Sequence, residues 1–173
     1  MEYFKFRGNK VIFVVLGTQK FQFNRLLKEI DILVGQRKID DEVFAQVGKS
    51  DYKPQNYATV DFLDKNVFEE NMSSCDMLIT HSGVGSIVSG INNDKPVIVV
   101  PRLEKYKEHV DDHQIEIAIA FSQKNYVLMC SEVEDLEKYI LEAKVHKFDK
   151  YVSQREKAVR TISTYIKGLR GQK

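Results

Sequence analysis

At 173 residues the chain has the length of one domain with a real core, and it is short for a two-domain enzyme. Its 26 lysines and arginines stand against 25 aspartates and glutamates, a formal charge of +1, and that balance argues against a generic nucleic-acid binder. No signal-peptide pattern and no run of about twenty apolar residues occurs, so a cytoplasmic chain is expected, one that reaches any membrane substrate through a partner.

Residues 1–9, MEYFKFRGN, mix aromatic and charged side chains and read as a lead-in. Residues 11–16 form an apolar run of the kind that parallel sheets cover on both faces. Gly17, Thr18 and Gln19 follow, ahead of a helix with Phe23, Leu26, Leu27, Ile30, Leu33 and Val34 on its inner side. A strand, a tight turn and a helix start present backbone N–H donors at the strand's carboxyl edge, although Thr18 also suits a plain helix cap. Residues 42–47 read as the next strand, ending at Gly48, and residues 49–56 as a turn-rich link containing Pro54. Residues 57–63 alternate like a strand with one exposed face, and Asp64 suits the cap of a short helix over 65–74.

The stretch 77–114 packs a strand (77–80), a glycine turn, a helix, a second strand (97–100) and a polar loop into one unit. In the turn His81, Ser82, Gly83, Val84, Gly85 and Ser86, two glycines let backbone come close to a ligand, and the helix that follows aims its N–H groups and positive dipole end there. Beyond Pro101 a loop runs from Arg102 to Gln114. In an open α/β sheet ligands bind beyond the carboxyl ends of the strands, so turn and loop are expected to share one crevice suited to an anionic, polyhydroxylic ligand. His81 alone would equally serve as a structural histidine closing a strand end. His109 and His113, four apart, have metal-ligand spacing without an evident third ligand, and Asp111 and Asp112 suit a charge pair at a helix N-terminus.

Residues 110–121 predict a helix ended at Asn125, 126–130 a strand, and 132–143 a further helix. Cys75 and Cys130 lack C-x-x-C or metal spacing and read as buried thiols. Strand and helix alternate throughout, so the expected architecture is a doubly wound parallel sheet in a single domain over 1–173, with its α/β core at 10–143. The segment 145–169 keeps an unbroken three-four apolar spacing and predicts a long terminal helix. From Lys144 onward nine basic residues face two acidic ones. Such a helix either packs on its own sheet with a solvated back, or crosses to a partner with its positive side toward anionic lipid.

Three stretches carry a resemblance: VIFVVLGTQKFQFNRLL at 11–27, EVFAQVGKSDYKPQN at 42–56, and THSGVGSIVSG through RLEKYKEHVDDHQIEIA at 80–118. Together they resemble the donor-binding half of GT-B glycosyltransferases, specifically the glycosyltransferase family 28 C-terminal domain. They are similar in particular to the small subunit of split, two-chain UDP-sugar transferases of N-glycan assembly and of bacterial capsule or exopolysaccharide synthesis. The resemblance implies a UDP-sugar co-substrate with no cofactor, a membrane-anchored acceptor-binding subunit docked through the C-terminal helix, and a lipid-linked saccharide acceptor. It also implies location at the inner face of the membrane through that partner, with no nucleic acid involved. His81, Gly83 and Ser86 match the signature's histidine, glycine and serine, and Gln114 its closing glutamine, which contacts donor-sugar hydroxyls; Asp112 and His113 flank it. Ser89 departs from a glutamate that many relatives use on the ribose, a role left to Glu104 or Glu116.

Sugar transfer needs the diphosphate stabilised, the sugar oriented and the acceptor hydroxyl deprotonated. Backbone donors at Gly17, Thr18 and Gln19 and at Ser82, Gly83, Gly85 and Ser86 would hold the diphosphate, with His81 and the Ser86 hydroxyl as further donors. No D-x-D motif is present, and a metal-independent reaction is expected. The family usually brings its base from the acceptor side, so no catalytic residue is assigned. Galactose, glucuronic acid and N-acetylglucosamine are the candidate sugars, with a slight preference for galactose. A non-catalytic nucleotide-sugar binder or partner stabiliser is the main alternative. A nicotinamide-dependent enzyme fits poorly, because Val88 occupies the third glycine's place.

Overall fold

The computed structural model describes residues 10–152. Six strands form one sheet in the order β3-β2-β1-β4-β5-β6, with every pairing parallel. The strands are β1 (Val11–Val15), β2 (Glu42–Gln46), β3 (Ala58–Val60), β4 (Met77–Thr80), β5 (Val97–Val99) and β6 (Leu128–Met129). Five α-helices flank them among the described residues: α1 (Asn24–Gly35), α2 (Lys65–Ser74), α3 (Val84–Asn92), α4 (His113–Ser122) and, after the last strand, α5 (Leu136–Ala143). The chain order reverses between β1 and β4, which opens a crevice at their carboxyl ends.

Side-chain alternation along the strands feeds two cores. Ile12 and Val14 of β1 face one side and pack with Leu26, Leu27 and Ile30 of α1 and Leu136 and Ile140 of α5. Val11, Phe13 and Val15 face the other, against Met72 of α2, Ile87 and Ile91 of α3 and Ala118 of α4. Both faces of β1 are therefore buried, and a continuous β-branched run is the sequence form such a strand takes. The Phe13 and Phe44 rings stack at 5.9 Å between neighbouring strands. Gly90 lets α3 settle closely on the sheet, since a Cβ there would lie 2.5 Å from Leu78 Cδ2 and 2.9 Å from Val97 Cγ2. Both thiols are buried, and burial pushes Cys75 up to about 11 and Cys130 up to about 12, well away from reactive thiolate.

Several boundaries differ from the expectation. The helix predicted from 110 starts at His113, because the carboxylates of Glu108 and Asp112 accept the N–H groups of Leu103 and Glu104 and hold 103–112 as a closed loop. The helix predicted over 132–143 begins as a 3-10 turn, Val133–Asp135, before α5. Asp64 precedes α2 without a side-chain capping bond.

The predicted helix over 145–169 lies mostly outside the described residues, and its first part, residues 145–152, is not helical. Asn125, in the left-handed region at φ 54, explains the break: its Nδ2 donates to Lys147 O at 2.9 Å, its carbonyl accepts from Asp149 N at 2.9 Å, and its Oδ1 meets His146 Nε2 at 2.6 Å. Those bonds draw the backbone out of helical register. No helix among the described residues is long and apolar enough to cross a membrane.

Candidate functional site: two glycine elbows around a neutral histidine

The β1 and β4 ends meet around His81, which is buried. A Cβ on Gly17 would stand 2.6 Å from its Cε1, and a Cβ on Gly83 2.3 Å from its Nε2. Only residues without a side chain fit on either side of this ring, and Gly17 also needs glycine for its φ of 75°. The two elbows anticipated from sequence are thus adjacent, with the imidazole as the spacer between them.

His81 Nδ1 lies 3.4 Å from Val15 O and 3.4 Å from Thr80 Oγ1, while the Thr80 hydroxyl donates to Val15 O at 2.7 Å. Burial first, then the Arg102 charge, push the His81 pKa down to about 4, so the ring is neutral near pH 7. The Val15 carbonyl can only accept, so a ring proton on Nδ1 would answer it and leave Nε2 as an acceptor. The donor role toward a phosphate expected from the sequence calls for the other tautomer, with the proton on Nε2.

The two elbows differ in what they present. α3 starts directly after Gly83, and no described side chain caps it; its first-turn N–H groups, including those of Gly85 and Ser86, face the crevice end of the helix. Gly85 is exposed and has open space where a Cβ would be. Ser82 is fully buried and its Oγ has no partner among the described residues. After Gly17, by contrast, residues 18–23 run without regular structure before α1. The residue preceding α1 is Phe23, so Thr18 is not its cap. The first amides of α1 are already engaged, Phe23 N by Ser50 Oγ at 2.9 Å and Asn24 N by Gln22 Oε1 at 2.7 Å. What the first elbow contributes is its own backbone at Gly17, Thr18 and Gln19, the last two exposed, and not a helix end.

Gln114 is buried at the start of α4, and its Oε1 accepts from Arg102 N at 3.1 Å. Arg102 in turn donates through Nη2 to Leu16 O at 2.7 Å and Phe21 O at 3.3 Å. Gln114 is thereby tied through Arg102 to the residue before Gly17, and Gly17, Gly83 and Gln114 lie at one edge of the sheet. Its amide donors are what Gln114 has left for a ligand. Asp112 spends a carboxylate oxygen on Glu104 N at 2.8 Å, and His113 is turned onto Asp111 and the His109 ring instead of the elbows. A cleft of about 250 Å³, lined in part by Pro101, Leu103, Lys105, Asp112, Ile115 and Met129, opens beside β5 and β6.

Sequence reasoning missed two buried charges that shape this edge. Arg102 is 1% exposed; its guanidinium lies 5.4 Å from the Phe23 ring centroid, and its Nε and Nη1 have no partner among the described residues. Burial pulls its pKa down to about 10, opposed by Glu108. Glu108 is 0% exposed and takes a two-pronged contact from Arg25, at 3.1 Å from Nε and 3.0 Å from Nη2. The same Nη2 donates to Pro101 O at 3.2 Å. A polar loop with isolated charges carried no periodic signal that would have singled out either residue.

Strand order and switch point define a doubly wound parallel α/β fold, the fold also found in GT-B glycosyltransferases such as SnogD of Streptomyces nogalater. Residues 11–166 match the model of the glycosyltransferase family 28 C-terminal domain, and the chain belongs to that family. It is 25% identical over 131 residues to the human UDP-N-acetylglucosamine transferase subunit ALG13, covering 70% of this chain and 11% of that protein. It is 30% identical over 142 residues to the UDP-N-acetylglucosamine–N-acetylmuramyl-(pentapeptide) pyrophosphoryl-undecaprenol N-acetylglucosamine transferase of Flavobacterium psychrophilum, covering 76% of this chain and 36% of that protein. The chain therefore spans little more than a third, at most, of either relative. The NMR structure of ALG13 has the same fold, with a TM-score of 0.60 at 17% identity over 89% of this chain and 94% of that one.

Proposed function

We propose that the chain is the donor-binding subunit of an inverting UDP-hexose transferase that works with a membrane-anchored, acceptor-binding partner. The observation that carries this reading is the pair of elbows closed around neutral His81, with the uncapped start of α3 beside them. Backbone N–H groups at the start of α3 hold the diphosphate, where the helix dipole favours negative charge. Gln114 orients the sugar through its amide, and His81 spaces the elbows. Ribose contacts fall to Glu104 or Glu116 at the rim of the loop.

In the step we infer, an acceptor hydroxyl attacks the anomeric carbon from the face opposite the nucleotide. A new C–O bond forms, the bond to the β-phosphate oxygen breaks with its electron pair leaving on UDP, and the hydroxyl proton passes to a base contributed from the acceptor side. Charge developing on the leaving oxygens meets the helix end, so no metal is required at the diphosphate. The acceptor in this reading is a polyprenyl-diphosphate-linked saccharide in capsule or exopolysaccharide synthesis. UDP-N-acetylglucosamine is the first donor to test, being the sugar in both relatives' names, ahead of the galactose favoured from sequence.

The test is reconstitution with a candidate membrane-anchored, acceptor-binding partner, assayed over a panel of UDP-hexoses. Turnover lost in Gln114→Ala, with the complex intact, supports the reading. Unchanged turnover in that variant and in His81→Ala would favour a chain that only completes the complex.

A further inference from the structure

The loop ahead of α4 gathers three ligating side chains that the donor reading does not use together. His109, Asp111 and His113 each bring one donor atom into a group whose members all lie within 4.8 Å of one another. Asp111 Oδ1 is 3.1 Å from His109 Nδ1 and in contact with His113 Nδ1, and the two imidazole rings meet at 4.6 Å between centroids. Spacing of two histidines four apart suggested a ligand pair without a third member; the closed loop brings Asp111 between them and completes the set.

We propose that these three residues form a site for one divalent transition-metal ion, with Zn²⁺ as the reference ion. Bonds of about 2.0–2.1 Å in a tetrahedral site put ligand atoms about 3.4 Å apart, close to the His109–Asp111 separation. Two imidazole nitrogens and one carboxylate oxygen suit Zn²⁺, Co²⁺, Ni²⁺ or Cu²⁺, and do not suit Mg²⁺ or Ca²⁺, which take oxygen shells. His109 is anchored: its ring is buried and packs on Phe21 at 5.2 Å between centroids. Asp111 and His113 are exposed, giving the ion an entry path and leaving a fourth position open to water. The competing arrangement is a carboxylate that only accepts hydrogen bonds from both rings and from His113 N, which lies 3.2 Å away.

The two arrangements separate on direct titration of the untagged full-length chain with Zn²⁺ by calorimetry, and with Co²⁺ by visible absorption. The metal site predicts one ion per chain and an intensified cobalt spectrum. His113→Ala and His109→Ala should each weaken binding at least about tenfold, since even indirect partners of a ligand are worth that much, while His146→Ala leaves it unchanged. His113 is half exposed, so its removal leaves the fold intact, which circular dichroism checks. Absence of saturable one-to-one binding, or binding equally strong in His113→Ala, overturns the proposal. Neither UDP-sugar nor partner enters the experiment, so its outcome is independent of the donor reading.

Discussion

Arg102 donates to the carbonyl of Leu16 at 2.7 Å across 86 residues of sequence, and its own N–H is held by Gln114. The contact locks the backbone just before the first elbow to the loop that delivers Gln114. A fully buried guanidinium in this place acts as a strut between two parts of one site.

Replacing Arg102 with alanine is expected to destabilise the fold by about 3–5 kcal/mol, since the carbonyls it serves lose their donor and a cavity opens beside Phe23. Urea denaturation reads this. Arg102→Lys keeps a charge and a donor but loses the planar guanidinium that lies 5.4 Å from the Phe23 ring centroid, and should recover only part of the loss.

Glu108 and Arg25 form a desolvated pair with side-chain exposures of 1% and 15%. Removing one partner leaves the other charge buried, at a cost of about 3–5 kcal/mol. Glu108→Gln should therefore be strongly destabilising alone, and the Arg25→Met/Glu108→Gln double variant should cost much less than the sum of the singles. A double-mutant cycle that proved additive would rule out this coupling.

Gly83→Ala places a methyl group against His81 Nε2, and the strain should be relieved when the ring is also shortened. Gly83→Ala is expected to lower stability by about 1–3 kcal/mol, with His81→Ala in the same chain restoring part of it. Gly17→Ala is predicted to stay destabilised in the His81→Ala background, because its positive φ remains unfavourable without any clash. Thermal melts of the four variants distinguish the two causes.

The His81 pKa gives a stability dependence of known sign. Its folded value of about 4 lies below the ordinary 6.5, so the unfolded chain takes up the proton first and acid favours unfolding. The fold's advantage is fully present above pH 6.5 and declines as pH falls toward 4, amounting to about 3 kcal/mol over that window. His81→Asn should flatten that part of the stability profile relative to the parent; parallel profiles would contradict the buried, neutral ring.

Elements with strong local signals were legible in the sequence. β4 matches the predicted 77–80, and the apolar runs of β1 and β5 differ by a residue. The family stretches likewise pointed to an α/β half of a sugar transferase and to the elbows as neighbours. Contacts between distant side chains were not legible. Nothing in the spacing of Arg25, Arg102 and Glu108 says that three charges meet under one loop. The same holds for Thr18, whose local chemistry fits a cap but whose helix begins at Asn24, after five more residues, where Ser50 and Gln22 oxygens accept from the N–H groups of Phe23 and Asn24. His81 could be placed at a strand end from its motif, yet its tautomer depends on a carbonyl of another strand.

Gly48, at the end of β2 with φ 61, stands behind the first elbow, where a Cβ would come within 2.7 Å of the Gly17 carbonyl oxygen. Position 48 thus begins a steric relay that runs through Gly17 and the imidazole to Gly83. A bulky residue introduced there would push this row of backbone toward α3 and reshape the phosphate cradle, although no atom of residue 48 reaches it.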